Sequence, residues 1–101
     1  MTPNPNQEPE KYLLRLALAN DLRVLSSLPQ SSFDDVEAWS REAEAFRLRL
    51  YSVYGSLSSE LPHELEHYLT DSDIRLKDAG YGARQNKFVS QLVDRLRDRP
   101  E

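Results

Sequence analysis

The residues of this chain whose types and spacing are best suited to chemistry form the pentapeptide His63-Glu64-Leu65-Glu66-His67. Two histidines four positions apart lie on the same face of a helix, one turn from each other. Neutral imidazoles are common zinc ligands, and a nearby glutamate can act as general base on a metal-bound water. In this interpretation His63 and His67 bind the metal, and Glu64 is the catalytic base.

The pentapeptide matches the pattern H-E-x-x-H, and by these five residues alone the chain resembles zinc metallopeptidases of the zincin type. The resemblance implies a small zinc-dependent hydrolase, which is our alternative function. Pro62 directly precedes the first histidine, and Glu66 is charged at a position that is normally uncharged in that family. A third ligand could come from Asp71, Asp73 or Asp78 only by assumption. Our main interpretation therefore has no catalytic residue, no metal ligand and no cofactor.

The apolar residues around the pentapeptide predict a short helix that buries its other side. They are Leu61, Leu65, Tyr68 and Leu69. At about 100° per residue, His63 and His67 then lie on the opposite side of this helix. The spacing therefore predicts that both histidines face solvent.

The longest apolar pattern precedes this helix and has steps that alternate between three and four residues. Its members are Val36, Trp39, Ala43, Phe46, Leu50, Val53 and Leu57. The pattern predicts a helix that Ser32 caps and that ends near Tyr54, with Gly55 as its C-terminal cap. Residues 46–54 also alternate like a strand, but a lone strand would have no partner. We therefore favour the helix and expect Trp39 and Phe46 to be buried.

A first helix is predicted from Glu10 to about Leu28. Its broad apolar arc consists of Leu13, Leu14, Ala17, Leu18, Leu22, Val24, Leu25 and Leu28. Asp21 falls inside this arc, and we expect it to pair with an arginine or a tyrosine because an unpaired buried carboxylate is costly. A narrower strip on the opposite side consists of Tyr12, Leu16 and Ala19, which we predict to be an interaction face.

The rest of the chain predicts a polar linker over residues 56–60 and two short helices around Thr70, with Ile74 and Leu76 as apolar contacts of the second. A turn follows at residues 78–82, and a last helix runs from Ala83 to Arg97. The predicted fold is all-α: an antiparallel hairpin of two long helices, one or two short helices, and a C-terminal helix packed across the hairpin.

Composition limits the possible functions. The 101 residues contain no cysteine, which excludes disulfides and thiolate sites, and allow one modest core. We expect a disordered tail at residues 1–9, which hold three prolines, and a single helical domain at 10–101. The N-terminal residues lack the pattern of a secretory signal, and no apolar run is long enough to span a bilayer, so the expected location is cytoplasmic.

A formal net charge of −4 makes nucleic acid an unlikely partner in this interpretation. We expect the basic residues of the last helix to pair with the acidic residues of 60–73. The predicted function is a small intracellular protein-interaction or regulatory module, which acts on a protein partner or through self-association as a homodimer.

Overall fold

The computed structural model describes residues 7–98, and within that range every regular element is helical. The elements are α1 (Gln7–Ser26), α2 (Phe33–Ser52), a 3₁₀ helix (Gly55–Glu60), α3 (Glu64–Thr70), α4 (Ser72–Lys77) and α5 (Ala79–Arg97). The predicted all-α class is confirmed, and α2 rules out the strand alternative. Within these residues, no helix combines the length and apolar character needed to cross a bilayer.

The ends of α1 and α2 follow from local capping. Helix α1 begins at Gln7, earlier than predicted, because Pro9 lies in the first turn, where its missing N–H is not needed. Residues 7–9 of the predicted tail thus belong to α1, and residues 1–6 lie outside the described residues. Helix α2 begins as predicted: Ser32 Oγ accepts from the Asp35 N–H (3.1 Å), and the Asp35 carboxylate accepts from the Ser31 N–H (3.2 Å).

The core is built on the apolar face of α2. Its buried members are Val36, Trp39, Ala43, Phe46 and Leu50. Phe46 is 0% exposed, so the prediction for this face is confirmed. Val53 is the exception, since it is half exposed. Helix α2 ends one residue before Val53, and Tyr54 of the following turn enters the core in its place. Leu57, the last predicted member, is buried as expected but lies in the 3₁₀ helix.

Helix α1 packs against both α2 and α5, and the pairs of residues that meet show that each pair of helices is antiparallel. Trp39 Nε1 donates to the Leu25 carbonyl (2.9 Å) near the loop that joins α1 to α2. Farther from that loop, Asp21 of α1 meets Arg49 of α2. At the far end of α5, the Tyr12 hydroxyl donates to the Arg97 carbonyl (3.3 Å).

The predicted apolar arc of α1 is too wide on one side. Leu18, Leu22 and Leu25 are buried as expected, but Leu13 and Val24 are more than half exposed. The reason is that α1 also buries the side that carries Ala19, which faces α5. The core therefore lies beneath about half of the helix circumference.

Asp21 has the partners that its position among leucines predicted. The Tyr54 hydroxyl donates to the Asp21 carboxylate (2.6 Å), and Arg49 Nε lies 3.4 Å from the same oxygen. Burial, together with the hydrogen bond to Asp21, raises the pKa of Tyr54 to about 12. The expected tyrosine or arginine partner is confirmed, and both are present.

Helices α4 and α5 differ most from the prediction. Residues 78–82 form the first turn of α5, because the Asp78 carboxylate caps it by accepting from the Tyr81 N–H (3.0 Å). A β-carbon at Gly82 would lie 3.5 Å from both the β-carbon and the carbonyl oxygen of Arg75, which is van der Waals contact, so α5 packs closely on α4 at this residue. On α4, the predicted apolar contact Ile74 is substantially exposed, Leu76 is partly buried, and the buried side chain is that of Arg75.

The first testable prediction concerns the core of α2. Phe46→Ala should lower the free energy of unfolding by about 3–5 kcal/mol, because it leaves a cavity among buried side chains. Phe33→Ala is the matched control: Phe33 is 70% exposed, and its loss should change stability by at most about 0.5 kcal/mol. Chemical denaturation measures both, and equal losses would show that the α2 face is not the core.

The second prediction is a pH dependence at Tyr54. Because folding raises the pKa of Tyr54 from 10.0 to about 12, the folded state binds the phenol proton more tightly than the unfolded state. The resulting stability is present below pH 10 and is lost as the pH rises through this window. Tyr54→Phe should show a smaller fall in stability from about pH 10 to 12. Parallel slopes for the two proteins would contradict the raised pKa.

Candidate functional site

A groove of about 510 Å³ lies where α2 gives way to the 3₁₀ helix and α3, and we name it the docking groove. Its walls are mainly apolar and include Leu50, Leu61, Pro62 and Leu65. Tyr51 stands on the rim with 68% of its surface exposed. Ser58, His63 and Glu66 add polar groups around the opening. The site therefore combines an apolar floor with a few polar groups at its edge, as ligand sites commonly do.

The docking groove exists because the chain leaves the α-helical path after Ser52. The 3₁₀ helix is held by the buried side chain of Leu57 and closes with a hydrogen bond from the Leu61 N–H to the Ser58 carbonyl (3.3 Å). Pro62 then precedes α3, which begins only at Glu64. The residues between α2 and α3 thus form one wall of the docking groove and leave Tyr51 exposed. Sequence reasoning identified this segment only as a polar linker.

The segment that forms one wall of the docking groove carries several acidic residues, of which Glu66 lines the groove. Residues 60–73 contain five Asp and Glu residues and no Lys or Arg. The Glu60 carboxylate lies 3.5 Å from Lys11 Nζ and 3.7 Å from Arg15 Nη1. The Glu66 carboxylate lies 3.8 Å from Arg47 Nε. These cations come from α1 and α2, which corrects the expectation that the C-terminal helix supplies them.

His63 and His67 stand on the outer side of α3. Both side chains are exposed, as the helical spacing predicted, and Glu64 is exposed beside them. The two ring centroids are 5.0 Å apart, and the ring planes are nearly perpendicular at 87°. His63 immediately precedes α3, and His67 lies in its last turn. The imidazoles are therefore neighbours that face solvent.

The assumed third ligands do not join this pair. Asp71 accepts from the Tyr81 hydroxyl, and Asp78 caps α5. Across the part of the chain that the structure describes, no group of three or more His, Cys, Asp or Glu side chains is placed to hold a metal ion. The alternative zinc hydrolase, with Glu64 as base, therefore lacks a third protein ligand among those residues.

The predicted interaction strip of α1 lies against α5. Ala19 is only 1% exposed and belongs to the core, and Tyr12 and Leu16 are partly buried. Ala19 is thus covered from within the chain and is not available to a partner. The exposed large apolar residues of α1 lie outside this strip, at Leu13 and Val24.

A buried polar cluster around Arg75 was missed entirely. Arg75 is 8% exposed, and its guanidinium carbon lies 4.2 Å from the ring centroid of Tyr68 and 4.8 Å from that of Trp39. Its Nε and Nη2 groups donate to Gln30 Oε1 (3.1 and 2.8 Å). Its Nη1 group donates to the Tyr68 carbonyl (2.8 Å) and to the Gln85 side-chain oxygen. Burial lowers the pKa of Arg75.

A sequence signal for this cluster did exist. The buried positions Leu65, Tyr68, Ser72 and Arg75 follow one another at steps of three, four and three. This spacing extends the buried face of α3 through α4, although the last two residues are polar. A search for apolar positions alone does not find this face, because Ser72 and Arg75 are polar.

Comparisons of the chain with models of known families, with curated proteins and with solved structures find no match. The geometry of the described residues is therefore the basis for the function.

Proposed function

We propose that this protein is an interaction module that receives an apolar segment of a separate partner protein in the docking groove. The observation that carries the proposal is a concave, mainly apolar site of about 510 Å³ with an exposed tyrosine on its rim. Tyrosine is enriched among the residues that contribute most to protein interfaces, because its large ring needs little ordering. A partner side chain in the groove would cover both the apolar walls and Tyr51.

The charges around the docking groove indicate the chemistry of the partner. Glu64 is exposed, and Glu66 at the rim is partly buried beside Arg47. A lysine or arginine next to the apolar anchor would be attracted to these carboxylates, whereas an acidic neighbour would be repelled. The proposed partner segment therefore has a large apolar anchor flanked by Lys or Arg.

The test is the third prediction and uses a random peptide library displayed on phage. Selection against the full chain should enrich peptides that carry Leu, Phe, Trp or Tyr next to Lys or Arg. Enriched peptides are then synthesised with a fluorophore, and their affinity is measured by fluorescence polarisation. Adjacent serines provide matched variants, since both are exposed but only Ser58 lines the groove.

Ser58→Trp should weaken peptide binding by at least about tenfold, because the indole occupies the space of the anchor. Ser59→Trp adds the same side chain outside the groove and should leave affinity unchanged within about twofold. Circular dichroism checks that both variants fold. A library without enrichment, acidic enriched peptides, or equal affinities for the two variants would each refute the proposal.

A further inference from the structure

We propose that His63 and His67 together chelate a divalent transition-metal ion such as zinc, and that the same two histidines of a second copy of this chain complete its coordination. The result is a metal-dependent homodimer joined through the outer face of α3. This site is a bridge between chains and has no catalytic role. It needs only the two imidazoles and no bound partner segment, and His63 is shared with the opening of the docking groove.

The spacing of the two rings suits a chelate. A zinc ion bound at about 2.0–2.1 Å to one nitrogen of each imidazole places the two ring centroids about 5 Å apart. The observed separation of the centroids is 5.0 Å. The rings are nearly perpendicular, and because both side chains are exposed, they can rotate until their nitrogens converge on one ion.

One chain leaves the site half complete. Zinc in proteins is usually tetrahedral with four ligands, and within residues 7–98 there is no third His, Cys, Asp or Glu in position. A second copy related by a twofold axis supplies two more imidazoles from the same face, and the interface is then the same on both sides. Four histidines around one ion satisfy its coordination with no ligand from elsewhere in the chain.

The acidic residues explain why the dimer would depend on the metal. Glu64 and Glu66 lie beside the histidines, in a segment of 60–73 that has no Lys or Arg. Glu66 is beside Arg47, but the exposed Glu64 carboxylates repel one another when two copies approach through α3. A divalent cation between the imidazoles offsets this repulsion. Calcium and magnesium prefer oxygen ligands and are therefore poor substitutes for zinc at a histidine pair.

The test, our fourth prediction, uses the full chain without an affinity tag, first freed of metal with a chelator. Sedimentation velocity is recorded with no metal, with zinc and with calcium. The expected result is a monomer that becomes a dimer with zinc, at one ion for two chains, and returns to monomer with chelator. Cobalt, as a spectroscopic probe, should give the intense visible absorption of a tetrahedral site.

His67→Ala removes a metal ligand and should abolish the dimer. It should weaken zinc binding by well over roughly tenfold, because changing only the hydrogen-bond partner of a ligand already costs that much. Glu64→Gln is the matched control: it removes an adjacent charge without removing a ligand, and the zinc dimer should persist. Both positions are exposed, so the variants should keep the stability of the parent. One zinc per monomer without association, a dimer equally formed with calcium, a dimer retained in His67→Ala, or no zinc binding would each overturn the inference.

Discussion

The interaction on which this structure most depends is the burial of the Arg75 guanidinium. A buried cation is costly unless its N–H groups have partners, and here those partners come from several separate elements. Gln30 lies in the loop between α1 and α2, Trp39 on α2, Tyr68 on α3 and Gln85 on α5. The guanidinium therefore has all its partners only when these elements are assembled, so its burial links the α1–α2 loop and α2 to α3, α4 and α5.

This constraint also places the candidate sites. Because the Tyr68 ring packs on the guanidinium and its carbonyl accepts from it, α3 can rotate little about its axis. Leu65 is then directed into the docking groove, while His63 and His67 face outward. Leu65 of this short helix thus lines the docking groove, and His63 belongs both to the groove opening and to the histidine pair. A helix of this length is not stable alone, so its orientation depends on tertiary contacts.

The parts of the fold that the sequence predicts are those where one physical effect dominates. Apolar spacing predicts the buried face of α2, side-chain capping predicts Ser32, and the cost of a buried carboxylate predicts the partners of Asp21. Prediction fails where two effects compete. Gly82 indicates a turn locally, but the Asp78 cap and the close packing of Gly82 on Arg75 place it inside α5. Arg75 looks like a surface residue, since its partners are distant in the chain and only the folded structure brings them together.

The most direct test of this account is native-state hydrogen exchange on an Arg75→Lys variant. Lysine keeps the charge but cannot donate to several fixed oxygens at once, and a hydrogen bond to a charged group contributes about 1.5–3 kcal/mol. The free energy of opening should fall by at least about 2 kcal/mol in α3, α4 and the first turns of α5. Arg41→Lys, at an exposed position of α2, should change protection by no more than about 0.5 kcal/mol. Equal protection in the two variants would show that the buried guanidinium does not hold the fold together.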